Sequence, residues 1–175
     1  MFYIILPLIL LAVLLWALTT AITAKSFAPW VPCWKKDLKR IFALADLKTG
    51  ETFYDLGCGT GKTVIYAAQN FQAKAIGVEI SFILFLICKI KQFLAKNKNL
   101  KFKLKNLFKE NLSQADVIYF FGMPKNINSR LKEKLKKECK KGTRIISYVF
   151  SIEGLTLIKK DKPYKKDLAI YLYKI

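Results

Sequence analysis

From Asp37 onward the apolar positions of the chain switch repeatedly between a helical and a strand period, which predicts a sheet interleaved with helices. Asp37–Leu47 reads as a helix ending before Gly50, with Leu38, Ile41, Phe42 and Leu47 as candidate buried positions. Thr52–Leu56 reads as the first strand, Lys62–Phe71 as a helix, Ala73–Ile80 as the second strand, and Ser81–Lys96 as a helix capped by Ser81. Leu100–Leu104 alternates like a third strand, and Ala115–Phe121 is apolar enough to be a central strand covered on both faces. Ile127, Leu131 and Leu135 mark one stripe of a lysine-rich helix that stops near Gly142. Arg144–Phe150 is a fifth strand, and Leu155–Lys159 with Ala169–Lys174 form a late antiparallel hairpin that brings the strands to seven.

The first residues carry a different pattern. Met1 to Ala24 contains no charged side chain, and Phe2 to Thr23 reaches the ~20 residues that span a bilayer. Tyr3 and Trp16 are placed for the two interfaces, and Pro7 is tolerated near a helix start. A cleaved signal peptide fits less well, since the run is long for its apolar region, no Lys or Arg precedes it, and Ala21 and Ala24 make poor cleavage sites. The expectation is a transmembrane anchor over 1–24 followed by one domain over 25–175. Lys25, Lys35, Lys36, Asp37, Lys39 and Arg40 follow it and are mostly positive, which predicts a single-pass membrane protein with that domain in the cytoplasm.

The segment Phe53–Ala68, FYDLGCGTGKTVIYAA, carries the chemistry. Gly57, Gly59 and Gly61 sit where an apolar strand turns into a helix and leave the backbone bare enough for a ligand to lie against it. A phosphate-binding P-loop ending in Gly61-Lys62-Thr63 needs a glycine at position 56, which is Leu56. A dinucleotide fingerprint starting at Gly57 needs one at position 62, which is Lys62. Glu79 ends a β-branched run 18 residues after Gly61, close to the ~20 expected for the carboxylate that holds a ribose. What remains, Asp55-x-Gly-x-Gly-x-Gly61, resembles motif I of the class I S-adenosylmethionine-dependent methyltransferases.

That resemblance implies an α/β, Rossmann-like seven-stranded methyltransferase sheet with S-adenosyl-L-methionine as cofactor. Asp55 would meet the amino-acid end of the cofactor, Gly57, Gly59 and Gly61 would allow its close approach, Glu79 would hold the ribose and Asn106 the adenine edge. Cys33, Cys58, Cys88 and Cys139 form no C-x-x-C pair and there is no histidine, so no metal site, disulfide framework or histidine base is supported.

The net charge of +19 bears on partners. Of 31 basic residues all but Arg40, Arg130 and Arg144 are lysine, whereas specific phosphate and base readout leans on arginine forks. A solvated lysine surface is favoured over attraction to anionic lipid, and that over RNA. Amino-methylating nucleic-acid enzymes have a polar residue followed by Pro-Pro and an aromatic after the fourth strand, where this chain has Phe121-Gly122-Met123-Pro124. Phe121, Met123 and Pro124 are candidates for the acceptor mouth, and no general base is assigned.

Pro29-Trp30-Val31-Pro32, Asp55 to Lys62, Gly77-Val78-Glu79, Asn106 to Lys109, Ala115-Asp116-Val117 and Gly142 to Ser147 recur in an order similar to the small protein-lysine methyltransferases that include the ATP synthase c-subunit enzyme. The resemblance implies N-methylation of lysine in a membrane-associated protein. The chain departs from that family's pattern in three places: Gly59-Thr60-Gly61-Lys62 where the loop usually reads Gly-Asp-Gly-Arg, Cys33-Trp34 after Val-Pro, and Asn106 where an aspartate is common. An RNA or small-molecule methyltransferase, and a non-catalytic cofactor-binding membrane protein, are the alternatives.

Overall fold

The computed structural model describes residues 3, 5–10, 13, 14, 17, 27–29 and 31–175. Its centre is a seven-stranded sheet built from β1 (Thr52–Leu56), β2 (Lys74–Glu79), β3 (Leu100–Leu104), β4 (Val117–Phe121), β5 (Arg144–Tyr148), β6 (Leu157–Asp161) and β7 (Ile170–Lys174). The order across the sheet is β3-β2-β1-β4-β5-β7-β6. The first five strands pair in parallel, and β7 is antiparallel to both β5 and β6. Chain order reverses between β1 and β4, so the crevice at the carboxyl ends of these two strands is where the topology opens a ligand site.

Helices α1 (Lys35–Ala45), α2 (Lys62–Phe71) and α3 (Phe82–Ala95) precede β1, β2 and β3. After β4 the chain forms a short α4 (Pro124–Asn126), a π-turn over Ile127–Leu131, and α5 (Lys132–Glu138). Successive strand residues point to opposite faces, and both faces are covered. Phe53, Tyr119 and Ile146 therefore pack with Ile41, Phe42, Val64 and Ala67 on one side. Tyr54, Ile118, Phe120 and Ile145 pack with Ile127, Leu131 and Leu135 on the other. The stripe read from the sequence in the lysine-rich helix is thus the buried one.

Several boundaries move, each for a local reason. Ser81 Oγ accepts from Leu84 N at 3.5 Å, so the expected cap starts α3. The fifth strand stops at Tyr148, because Val149 holds φ at 77°, a left-handed conformation that a β-branched residue rarely adopts and sequence does not announce. A buried ionic group fixes α1 to the sheet. Arg40 Nη1 donates to Asp37 Oδ1 at 2.8 Å, Arg40 Nε to Asp161 Oδ2 at 2.6 Å, and Tyr148 Oη to Asp37 Oδ2 at 2.6 Å. Lys36 reaches Asp167 at 2.8 Å. Lys36, Asp37 and Arg40, read from sequence as charges flanking an anchor, are therefore spent on holding the hairpin.

The membrane expectation is corrected. Tyr3, Ile5 to Leu10, Val13, Leu14 and Ala17 are helical, and the other positions of the expected 1–24 span lie outside the described residues. Among the described residues no helix is long and apolar enough to cross a membrane. That finding overturns the single-pass localisation with a cytoplasmic domain, and among the described residues nothing supports the bilayer as the partner of the N-terminal helix.

Candidate active site

The crevice at the β1–β4 switch point is a cleft with about 850 Å³ of empty space, part of it continuous with open solvent. Asp55 at the end of β1, the loop residues Gly57 to Thr60, Lys62 and Thr63 at the start of α2, and Glu79 at the end of β2 line one wall. Gly57 has φ of 88°, and a Cβ placed there would meet nothing within 4 Å, so the backbone here faces open space. Glu79 braces the loop: Oε2 accepts from Gly59 N at 2.8 Å, while Oε1 accepts from Ile80 N at 2.9 Å and Ser81 N at 2.8 Å. Thr63 Oγ1 donates to Asp55 Oδ2.

The opposite wall comes from the segment ahead of α1. Phe27, Ala28, Pro29, Val31, Pro32 and Cys33 close over the cleft. Phe27 is held by edge-to-face packing on Phe108 and Phe120, with ring centroids at 6.0 and 6.1 Å. Gly122 leaves it room, since a Cβ there would come within 2.3 Å of the Phe27 ring. Asn126 Nδ2 donates to the Phe27 carbonyl at 2.7 Å, and Lys62 Nζ to the Cys33 carbonyl at 2.6 Å. Tyr119 and Phe121, from β4, complete the floor between the two walls.

The ANTKMT methyltransferase domain model matches residues 55–159, which run from the end of β1 into β6. The chain belongs to this family. A protein-lysine N-methyltransferase of Saccharolobus islandicus (strain REY15A) is 35% identical over 156 residues, covering 84% of this chain and 93% of that protein. A crystal structure of an RNA methyltransferase from Salinibacter ruber with bound S-adenosyl-L-homocysteine is similar at a TM-score of 0.77 and 28% identity, over 83% of this chain and 94% of that one. A point mutant of MtNAS in complex with S-adenosylmethionine has a TM-score of 0.67 at 17% identity over 79% of this chain and 60% of that one, which is a likeness of fold. The chain is an S-adenosylmethionine-dependent methyltransferase.

The residues present fit that cofactor. Two carboxylates, Asp55 and Glu79, flank a bare glycine backbone, and burial acts on both. Burial pushes the Asp55 carboxyl up to about 7, opposed by the Thr63 hydrogen bond and reinforced by the Glu79 charge. Glu79 is also raised by burial, against the three backbone donors that favour its charged form. The Cys33 thiol is pushed up to about 12, chiefly by burial, and Cys58 and Tyr119 are also raised by burial. Neither cleft cysteine is a thiolate at neutral pH, so neither is an activated nucleophile in this ANTKMT-family cleft.

Of the residues singled out by sequence, Asp55, Gly57, Gly59, Glu79 and Phe121 line the cleft. Gly61 lies behind it: a Cβ there would come within 2.6 Å of the Phe102 ring and 3.1 Å of Cys88 Sγ, so this glycine lets α2 pack on β3 and α3. Asn106 sits between the lining residues Lys105 and Leu107, and its Oδ1 accepts from Phe108 N at 3.0 Å to start a 3-10 turn. Met123 and Pro124 follow Phe121 outside the lining, at the start of α4. Sequence reasoning missed Phe27, Lys62, Thr63 and Tyr119 as cleft residues. Thr63, eight residues after Asp55, had a signal in its place on the first turn of the helix that follows the loop. The others are brought in only by the fold.

Proposed function

We propose that the chain N-methylates lysine side chains of a protein substrate. The observation that carries this reading is the likeness, over 84% of this chain and 93% of that protein, to the Saccharolobus islandicus protein-lysine N-methyltransferase. The Salinibacter ruber likeness favours RNA as a second reading, at lower identity.

When bound, S-adenosylmethionine supplies an electrophilic methyl group on a sulfonium. Asp55, the Gly57 and Gly59 backbone and Glu79 would hold it, with Asp55 toward its ammonium and Glu79 toward its ribose. Asn106 and the neighbouring Lys105 and Leu107 would flank its adenine. Phe121 and Tyr119 would form the acceptor end together with Val31, and Met123 and Pro124 would form its outer rim. A free lysine amine has a pKa near 10.4, and only its neutral form has a lone pair to give. The apolar side chains at this end disfavour the charged ammonium, while Asp55 and Glu79 act at the cofactor end. The acceptor nitrogen gains the methyl group and loses a proton to solvent.

The Asp55 carboxyl gives a pH signature. With its folded value near 7, it is partly protonated in the free protein at neutral pH, and pairing with a cationic amine favours the ionised form. Cofactor binding should therefore release a proton below pH 7. Affinity should rise with pH by up to about tenfold per unit until it levels off above the Asp55 value, as long as the ligand amine stays charged. Calorimetry of S-adenosylhomocysteine binding in buffers of different ionisation enthalpy reads this release. A flat profile in the unaltered chain would remove Asp55 from the ammonium.

Acceptor class is read by incubating the chain with methyl-labelled cofactor and a fractionated cell extract. Label should enter protein and resist nuclease and lipid extraction. Label carried by RNA would favour the second reading.

A further inference from the structure

The outer face of α3 is unexplained by the cleft. Phe82, Leu86, Ile90, Phe93 and Leu94 fall on one side of the helix at three- and four-residue spacing. Ile90, Phe93 and Leu94 are 61%, 79% and 71% exposed, and Cys88 is the only residue of the helix that is buried. An apolar stripe of this kind normally faces the core. Here the opposite side of the helix makes that contact, through Cys88, through Gln92 Nε2 donating to Leu100 O at 2.6 Å, and through Lys91 Nζ donating to Thr60 O at 2.9 Å. A contiguous exposed stripe on an otherwise lysine-rich surface marks an interaction site.

Position and charge narrow what covers it. The helix that carries the stripe starts beside the cleft, because Ile80, just before α3, and Leu84, in its first turn, line that cleft. From Ile80 to Lys109 the chain carries eight lysines and no acidic residue. Lys89, Lys96, Lys98 and Lys101 of this run are exposed. A second copy of a chain with net charge +19 would set one lysine rim against another, which is unfavourable.

We infer that the outer face of α3 docks an amphipathic segment of the protein substrate, its apolar residues covering the stripe and its Asp and Glu residues meeting the flanking lysines. The identity of the partner as the acceptor protein rests on the lysine reading above; the docking surface itself does not. A docked segment raises the local concentration of the acceptor lysine without altering the chemical step.

The test uses the full chain and a synthetic helical peptide with leucines at i, i+3, i+4 and i+7 flanked by glutamates. Fluorescence anisotropy measures its binding. A short lysine peptide, alone and fused to that helix, serves as the methyl acceptor. The fused acceptor should show a KM at least tenfold lower with the same kcat. The combined Leu86→Ser, Ile90→Ser and Phe93→Ser variant should erase that difference while keeping the cofactor affinity. Should this variant fail to fold, Lys96→Glu with Lys98→Glu and Lys101→Glu leaves the stripe intact and should weaken peptide binding at least tenfold. Equal KM values for the two acceptors together with no anisotropy change would overturn the inference. So would binding to phosphatidylglycerol vesicles that the serine variant loses in the absence of peptide binding, or a dimer in sedimentation that the serine variant dissociates. If neither acceptor is methylated, the lysine reading fails and the anisotropy arm still decides the docking surface.

Discussion

Glu79→Ala should weaken S-adenosylhomocysteine binding at least 100-fold, about 2.7 kcal/mol, as read by calorimetry. Two losses combine. The proposed ribose acceptor disappears, and the Gly59, Ile80 and Ser81 amides lose the oxygens they donate to at 2.8 to 2.9 Å. Each buried donor left unpaired costs about 1 to 3 kcal/mol, and the Gly59 amide belongs to the loop the cofactor lies on. Glu79→Gln separates the two parts. It keeps one acceptor oxygen for the amides, so its melting temperature should stay closer to that of the unaltered chain than that of Glu79→Ala, while cofactor affinity still falls. Unchanged affinity in a folded Glu79→Ala protein would take Glu79 out of the cofactor site.

Asp37→Ala should destabilise the domain by about 3 kcal/mol, the low end of the range for breaking a buried ion pair. Asp37 is fully buried and takes both Arg40 and the Tyr148 hydroxyl. Removing it leaves the guanidinium with Asp161 and two carbonyls and the phenol with no acceptor in that network. For a chain of this size the melting temperature should fall by roughly 6 to 12 °C. The effect should reach the cleft as well, because α1 follows directly on the Phe27–Cys33 wall. Asp37→Asn keeps an oxygen for one partner and should lose less. A melting temperature within a degree or two of the unaltered chain would show that α1 is held by its apolar face alone.

Sequence carried the sheet because strands buried on both faces are nearly continuous apolar runs, as in Val117–Phe121, and because Gly57 to Gly61 and Ser81 mark the turns between elements. It carried Asp55 and Glu79 because the ends of adjacent parallel strands must lie side by side, and spacing alone locates them. It did not carry Phe27 or Lys62 as wall and latch. Their roles depend on where the chain before α1 folds back, and on Gly122 and Asn126, some hundred residues later, leaving space and a donor for it. Arg40 misled for a related reason. A cation following an apolar stretch looks like a membrane flank, and only the distant Asp161 and Tyr148 reveal a buried network. The apolar residues of Ser81–Lys96 gave a helix correctly but not its orientation, since both sides of α3 are apolar and the wider stripe turns outward.

The central claim is that this cleft moves a methyl group from S-adenosylmethionine to a lysine nitrogen. Acid hydrolysis of protein labelled by the purified chain with methyl-labelled cofactor, followed by amino-acid separation, measures it directly. The account predicts label in Nε-methylated lysine, absent when Glu79→Ala replaces the unaltered chain. Label confined to RNA, or in protein at residues other than lysine, would contradict it.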